Sequence, residues 1–181
     1  MENTGINTEL IDSCIKGDIK SQFKLYKKYS KAMYNIAIRI LDNKMDAEDM
    51  LQESFITAFT RLSDLEDKKS FGSWLKRIVI NNCISRVRGN KVQFEDIEEH
   101  IPAAEGDITE IDEDIDPVFV HKAIKELPAA CRTVVVLHAL EQYKHREIAE
   151  ILNISISTSK TQYRRGLMLL NEKLKHKIYV N

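Results

Sequence analysis

Residues 143–170 decide the fold of the C-terminal part of the chain, and they read YKHREIAEILNISISTSKTQYRRGLMLL. The first third carries apolar residues at the spacing of an amphipathic helix, namely Ile148, Ala149, Ile151 and Leu152. Asn153 tolerates the left-handed backbone conformation that ends a helix, and Ser155 is a good N-cap for a following helix. The stretch therefore predicts two short helices joined by a tight turn.

The second predicted helix has an apolar side and a cationic side. The apolar side comprises Ile156, Ser159, Tyr163, Gly166, Leu167 and Leu170, and the other comprises Ser157, Lys160, Thr161, Arg164, Arg165 and Met168. A helix-turn-helix protein offers such a cationic side to the major groove of DNA, although a charged face is more often simply solvated. The sign of the charge favours DNA, because no carboxylate lies between Lys160 and Leu170 and a solvated helix normally mixes signs to gain i,i+4 pairs.

The composition is that of a soluble, helical chain. Of 181 residues, 43% are hydrophobic and 30% charged, which is ordinary for a globular protein. Because Gly and Pro are few and helical periods are long, we expect an all-α fold. No apolar run approaches the roughly 20 residues of a membrane span, and the polar, acidic N-terminus is not typical of a secretory signal. We therefore expect a cytoplasmic protein.

The sequence shows no pattern typical of an enzyme or a metal site. Cys14, Cys83 and Cys131 lie far apart without a CxxC pair, so each is expected to be a buried apolar residue. No phosphate-binding glycine loop and no catalytic constellation stands out. We expect no enzymatic activity, no metal and no cofactor.

The charges are segregated along the chain. The formal net charge is −1, yet residues 91–116 contain eleven carboxylates against the single Lys91. Pro102 and Gly106 interrupt this block, which predicts an acidic flexible linker over residues 93–116 between two small helical domains, 1–92 and 117–181. Both domains are basic on balance, as suits a polyanionic partner. The linker is either a plain tether, or a segment whose negative charge mimics nucleic acid or keeps the two basic domains from collapsing on each other.

Four helices are predicted in the N-terminal domain. They are Leu10–Lys16, Ile19–Leu41, a third helix that starts at Asp46, and Phe71–Gly89 with Ser70 as its cap. In the second helix Phe23, Tyr26 and Tyr29 are expected to lie in the core rather than to form a stacking platform for bases.

The third and fourth helices carry opposite charges on their outer faces. Outside the apolar stripe of the third helix lie Asp49, Gln52, Glu53, Ile56 and Thr60, a face that either docks on a basic partner or is solvated. The fourth helix carries Lys76, Arg77, Arg86 and Arg88, with no carboxylate between Ser70 and Lys91. Its Trp74 is either a core residue or an aromatic surface for unpaired bases.

Several motifs together resemble a known family. They are IKGD at 15–18, DAEDMLQESF at 46–55, FGSWL at 71–75, Leu127-Pro128 with Arg132, and IAEIL at 148–152 followed by Ser155, Thr158 and Lys160. In order and spacing they resemble the sigma-70 family of bacterial transcription initiation factors, in its short two-domain group, the extracytoplasmic function (ECF) sigma factors. The resemblance covers about residues 10–175.

The resemblance implies a role for each predicted surface. A sigma-2-like domain, 1–92, would dock on core RNA polymerase and recognise and melt the −10 element, and a sigma-4-like domain, 117–181, would read the −35 element. Polymerase docking would use Asp49, Gln52, Glu53 and Ile56. The −10 contacts would be Lys68, Lys69, Ser73, Trp74, Lys76, Arg77, Asn81, Arg86 and Arg88. The −35 contacts would be Ser157, Thr158, Lys160, Thr161, Arg164 and Arg165.

The remaining implications concern partners and departures from the family pattern. Core RNA polymerase and promoter DNA would be the partners of a chain that is a monomer when free, and the linker would run through the polymerase toward its RNA channel. A membrane-bound anti-sigma factor is a further partner that the sequence leaves open. Lys144 stands where a capping Ser or Thr is usual, Ser159 replaces an apolar residue, and Gln162 replaces an arginine at a place from which it could read adenine.

Two other classes of protein compete with this interpretation. One is a self-standing helix-turn-helix regulator, which would bind a palindrome as a dimer, but the sequence shows no heptad seam. The other is an enzyme with an appended DNA-binding domain, which the lack of a catalytic constellation disfavours.

Overall fold

The computed structural model describes residues 3–89, 94 and 117–178, and the side chains of 8–89, 94 and 118–175. The chain divides into two compact units, Met1–Gly89 (unit 1) and Asn90–Asn181 (unit 2). Every element of the described residues is helical, so the predicted all-α fold is confirmed there. The predicted linker, 93–116, falls outside the described residues except for Phe94.

Unit 1 is built from four α-helices. These are α1 (Asn3–Ile15), α2 (Ile19–Leu41), α3 (Lys44–Thr60) and α4 (Phe71–Gly89), with short 3-10 turns at Leu62–Asp64 and Lys68–Ser70 between the last two. α2, α3 and α4 pack on one another, and α1 packs on α2. Their shared core contains Leu25, Ile40, Ala47, Phe55, Phe71, Leu75, Val79, Ile80 and Ile84.

Local capping explains where α2 begins and ends, and both predicted ends are confirmed. The Asp18 carboxylate accepts hydrogen bonds from the backbone N–H groups of Lys20 and Ser21 and caps the helix. The hydroxyl of Ser21 also donates to it, and this bond is the main reason why the pKa of Asp18 is lowered. At the other end Asp42 adopts the left-handed conformation, with φ 52°.

Two predicted helix starts and one predicted cap are wrong. α1 begins at Asn3 rather than at Leu10. α3 begins at Lys44 rather than Asp46, because Asn43 Oδ1 accepts a 3.0 Å hydrogen bond from the Asp46 N–H and so acts as the N-cap. Ser70 does not cap α4. Its hydroxyl donates 2.7 Å to the carbonyl of Asp67, which places Ser70 in the preceding 3-10 turn.

One predicted core residue of α2 is also wrong. Phe23 is 56% exposed, and the Nζ of Lys27 lies 5.0 Å from its ring centroid. Tyr26 and Tyr29 are half-buried and contact the rings of Phe55 and Phe71, with centroids 4.8 and 5.2 Å apart.

The described part of unit 2, residues 117–178, forms four α-helices and one π-helical segment. They are α5 (Pro117–Lys125), α6 (Ala129–Val135), the π-helical segment Val136–Leu140, α7 (His145–Leu152) and α8 (Ile156–Ile178). α8 packs against α5, α6 and α7. It approaches α6 closely at Gly166, where an added Cβ would lie 2.5 Å from Val135 Cγ2.

The predicted helical hairpin is confirmed as α7 and α8. Asn153 ends α7 in the left-handed conformation with φ 54°, and the Ser155 hydroxyl accepts a 2.9 Å hydrogen bond from the Thr158 N–H at the start of α8. The predicted burial of Cys14, Cys83 and Cys131 is confirmed as well. Burial raises the pKa of the Cys14 and Cys83 thiols to about 11 and about 12.

Candidate nucleic-acid interface

The outer side of α8 presents most of the residues that the sequence assigned to it. Ser157, Lys160 and Arg164 are exposed, and Thr161 and Arg165 are half-buried. The turn at Asn153–Ser155 sets the direction in which α8 leaves α7, and the five side chains lie on one side of residues 157–168 of α8, a stretch that contains no carboxylate. This is the arrangement by which a recognition helix enters the major groove.

Thr158 departs from the prediction. Its side chain is only 3% exposed, and its Oγ1 lies 2.7 Å from the Ser155 Oγ. The hydroxyl therefore belongs to the turn between α7 and α8 and does not face outward. Assigning Thr158 to the DNA-facing set is a mistake of register, since one position along a helix rotates a side chain by about 100°.

Gln162 is likewise unable to read a base. It is 2% exposed, and its Oε1 accepts a 3.1 Å hydrogen bond from the thiol of Cys131 on α6. Burial raises the pKa of that thiol, and the nearby Arg165 opposes the shift. Gln162 thus joins α8 to the core of unit 2.

A ring cluster that the sequence did not predict holds the start of α7 against α8. The rings of His138 and His145 are stacked with centroids 4.2 Å apart, and Tyr163 contacts both edge-on. His145 Nδ1 lies 3.0 Å from the Ser159 Oγ, which explains the polar residue at this packing position. The pKa of His145 is lowered, first by burial and then by the charges of His138 and Lys160.

The outer side of α3 is a separate, acidic surface. Asp49, Gln52 and Glu53 are exposed, and Ile56 is 67% exposed. Met45, which the sequence reasoning missed, is 75% exposed and lies one turn before Asp49 on the same side. The missed signal was its spacing, because positions 45, 49, 52 and 56 follow the four-three-four rhythm of one helix face.

The predicted −10 residues gather on the 3-10 turn at Lys68–Ser70 and on α4. Lys69, Ser73, Arg77, Asn81 and Arg88 are exposed, whereas Lys68, Trp74, Lys76 and Arg86 are half-buried. The Trp74 ring contacts Phe71, with centroids 6.1 Å apart. Since the ring is half-buried, it is anchored in the core and still has an accessible part.

Lys68 and Arg86 already have acidic partners in unit 1. Lys68 Nζ forms an ion pair with Asp12 of α1, and Arg86 Nη1 lies 3.4 Å from the Asp46 carboxylate at the start of α3. Such partly exposed pairs contribute about 0–1 kcal/mol. Little free energy is therefore lost when Lys68 or Arg86 leaves its carboxylate partner to bind a DNA phosphate.

The described residues hold no cluster of three or more His, Cys, Asp or Glu side chains that could bind a metal ion. None of the described helices combines the length and apolarity that a membrane crossing requires. Taken together, the helix-turn-helix of unit 2 and the basic, aromatic surface of unit 1 define a helical DNA-binding protein.

Comparison with known proteins then gives the family. Residues 25–92 match the Sigma-70 region 2 family, and residues 120–170 match the Sigma-70, region 4 family. The ECF RNA polymerase sigma factor SigW of Bacillus subtilis is 30% identical over 88% of this chain and 92% of its own length. The RNA polymerase sigma-H factor of Pseudomonas aeruginosa is 25% identical over 92% of both chains.

A solved structure shows the same fold. The sigma factor RpoE of Bartonella quintana, crystallised with the anti-sigma factor NepR, matches with a TM-score of 0.55 and 22% identity over 87% of this chain and 98% of that chain. The chain belongs to the sigma-70 family, in the ECF group. It is a transcription initiation factor that directs RNA polymerase to promoters, and not an enzyme. A self-standing dimeric regulator is not favoured.

Proposed function

We propose that three surfaces divide the work of this sigma factor: α3 docks on core RNA polymerase, the turn before α4 and α4 itself capture the −10 element, and α8 reads the −35 element. The observation that carries the proposal is the separation of charge. An exposed acidic face on α3 coexists with outer faces that carry no carboxylate on α4 and on the first part of α8, residues 156–168. The acidic face of α3 would repel a polyanion, so the three surfaces together require a protein partner as well as DNA.

The α3 surface suits a protein partner. Met45 and Ile56 provide exposed apolar area on the same side as Asp49, Gln52 and Glu53. An apolar patch with a charged rim is typical of a protein interface. The carboxylates then select a basic partner surface and orient it.

The α4 surface suits DNA that is being melted. Positive charge for the phosphates comes from Lys69, Lys76, Arg77 and Arg88. Lys68 and Arg86 can also contribute, because each can exchange its carboxylate partner for a phosphate. Ser73 and Asn81 supply polar groups for bases, and the accessible part of Trp74 provides a stacking surface. Unstacking a base costs a few kcal/mol, and stacking on an aromatic ring returns about 1–3 kcal/mol per base.

The α8 surface suits a duplex. Lys160, Arg164 and Arg165 bring the charge, and Ser157 and Thr161 add short polar groups on the same side. Thr158 is left out because its hydroxyl belongs to the turn. So few cations neutralise few phosphates, and the free protein should bind DNA weakly and with strong salt dependence.

The cellular setting follows from these partners. We place the protein in the cytoplasm, where RNA polymerase and the chromosome are. The fold shared with a sigma factor solved in complex with an anti-sigma factor supports an anti-sigma protein, soluble or membrane-bound, as a further partner. Such a protein would act by covering one or more of the three surfaces.

A binding and transcription experiment tests the proposal. The purified chain is mixed with core RNA polymerase, and retention is measured before DNA selected from a random library is used for run-off transcription. We expect the chain to be retained by polymerase and to confer selective initiation. Tight and selective DNA binding by the chain alone would contradict the proposal.

A further inference from the structure

The outer side of α2 carries a lysine face that none of the three proposed surfaces includes. Five lysines lie in the first half of the helix, and all are exposed: Lys20, Lys24, Lys27, Lys28 and Lys31. Four of them, at positions 20, 24, 27 and 31, follow one helix face and span about 16 Å. The opposite side of α2 is buried at Leu25, Met33, Ile36, Ala37 and Ile40.

The lysine face lacks internal neutralisation. No carboxylate occurs between Asp18 and Asp42, so α2 offers no i,i+4 acidic partners. Among the described residues Lys24, Lys27 and Lys31 form no ion pair with a carboxylate. Like charges three and four residues apart destabilise a helix by a few tenths of a kcal/mol per pair. A partner with a row of negative charges would relieve this repulsion along the whole length of the lysine face.

The aromatic side chains favour nucleic acid over an acidic protein. Phe23, on the edge of the lysine face, is 56% exposed, and Lys27 Nζ lies 5.0 Å from its ring centroid. Exposed rings interleaved with cations are typical of surfaces that track a nucleic-acid backbone.

Ring contacts also connect the lysine face to the −10 surface. Lys28 Nζ is 5.9 Å from the Tyr29 ring centroid, and Tyr29 contacts Phe71 at 5.2 Å. Phe71 in turn contacts Trp74 at 6.1 Å. Three successive contacts therefore lead from Lys28, at the edge of the lysine face, through the buried Phe71 to Trp74 of the proposed −10 surface.

We propose that the lysine face of α2 binds the phosphate backbone of promoter DNA adjoining the −10 element, as a second DNA-contacting surface of unit 1 besides α4. This inference rests on the proposed function, because it assumes that DNA reaches unit 1 in the polymerase complex. It assigns no base recognition to α2. The face contributes sequence-independent affinity, which should be strongly sensitive to salt.

The test compares two triple variants with equal net charge. The face variant is Lys24→Gln/Lys27→Gln/Lys31→Gln, and the control is Lys44→Gln/Lys122→Gln/Lys125→Gln, whose lysines are exposed elsewhere. Each full-length chain is assembled with core polymerase, and the affinity for a promoter selected by the wild-type holoenzyme is measured against salt concentration. For the face variant we expect the slope of log K against log salt to fall by about 2 to 3, since each lost phosphate contact removes about 0.7–0.9.

Core binding should be unchanged in both variants, and the control should keep the wild-type slope. A photo-reactive phenylalanine analogue at position 23 should cross-link to promoter DNA. If the face variant matches the control, or if position 23 cross-links only to a polymerase subunit or to residues 95–116 of its own chain, the inference is wrong while the proposed function stands. If the wild-type holoenzyme selects no DNA, the proposed function fails and the inference with it.

Discussion

Adjacent arginines on α8 differ in what they can reach. Arg164 is exposed, whereas Arg165 is half-buried and its charge acts on the thiol of Cys131. We therefore expect Arg164→Ala to lower transcription from −35-dependent promoters by about 5- to 150-fold, the loss of one good base contact. Run-off transcription on promoters with and without a −35 element measures the effect.

Two controls accompany the Arg164→Ala experiment. Binding of the variant to core polymerase should remain at the wild-type level, because α8 lies outside the proposed docking surface. Thr158→Val should keep the promoter preference and lower only the stability of unit 2, since its hydroxyl bonds to Ser155. A change of promoter preference in Thr158→Val would restore Thr158 to the DNA-facing set.

Gly166 shows how a single residue sets the distance between two helices. A methyl group there would meet Val135 Cγ2 at 2.5 Å and Cys131 Cβ at 3.5 Å. Overpacking of this kind costs about 1–3 kcal/mol, which outweighs the gain in helix propensity of about 1 kcal/mol. Gly166→Ala should therefore lower the urea midpoint of unfolding. Gly89→Ala, where nothing lies within 4 Å, is the matched control and should not lower it.

At the scale of elements, the stacked histidines join the π-helical segment to α7, and Ser159 and Tyr163 join both to α8. The lowered pKa of His145 means that the folded state binds its proton less readily than the unfolded state. The neutral His145 therefore contributes fully to the free energy of unfolding above the ordinary histidine pKa of about 6.5. This contribution is lost as the pH falls from that value toward the lower pKa of His145 in the folded protein.

We expect the unfolding midpoint to decrease between about pH 7.5 and pH 5, and His145→Phe to reduce this decrease. Phenylalanine keeps an aromatic ring in the stack but cannot be protonated. Urea unfolding at several pH values compares the two proteins, so that titrating carboxylates common to both cancel. An identical pH dependence in the variant would exclude His145 as its source.

The outer side of α3 allows a sharp test of the docking proposal. Reversing the charges with Asp49→Lys/Glu53→Lys should weaken binding to core polymerase by about tenfold or more, because like charges would then face each other across the interface. Fluorescence anisotropy with labelled chain measures the affinity, and circular dichroism checks the fold. Glu9→Lys/Glu172→Lys, which changes two exposed residues elsewhere, should bind normally. Equal binding by both variants would remove α3 as the docking face.

Helix bounds were predictable wherever a capping residue stood alone in the sequence. Asp18 and Asp42 frame α2, and Asn153 and Ser155 frame the turn between α7 and α8, so local chemistry decided these ends. Asn43 was missed because the carboxylates of Asp46, Glu48 and Asp49, which favour a helix N-terminus, placed the predicted start two residues too late. Local preferences alone do not choose between two nearby starts.

Side-chain surroundings were harder to predict than helices. The periodicity of α2 identified one buried side, but it could not show that Phe23 lies at the edge, where no neighbouring helix covers it. The stacking of His138 on His145 depends on the π-helical segment, which turns the chain before α7. Thr158 and Gln162 were misjudged because residues at the border of a helix face are buried or exposed according to the element packed beside them.

For the whole molecule, the main question is how two weak DNA-binding units act together. The α8 surface of unit 2 presents few cations, so its affinity for DNA must come from holding both units on one polymerase, which raises the effective concentration of the second contact. If residues 93–116 are a plain tether, their length matters only through the entropy of closing a flexible connection. This entropy changes slowly, by about 0.6 kcal/mol for each doubling of length.

We therefore expect that doubling the 24-residue stretch 93–116 with a Gly/Ser insertion lowers transcription from a promoter with both elements only about threefold, the equivalent of about 0.6 kcal/mol. Run-off transcription with limiting holoenzyme measures the change. A second variant, with residues 93–116 scrambled at constant length and charge, should be as active as the wild type. Losses above tenfold in the lengthened protein, or a clear loss in the scrambled one, would show that the acidic segment contacts a specific surface of the polymerase. The segment would then act through its sequence and not through its length alone.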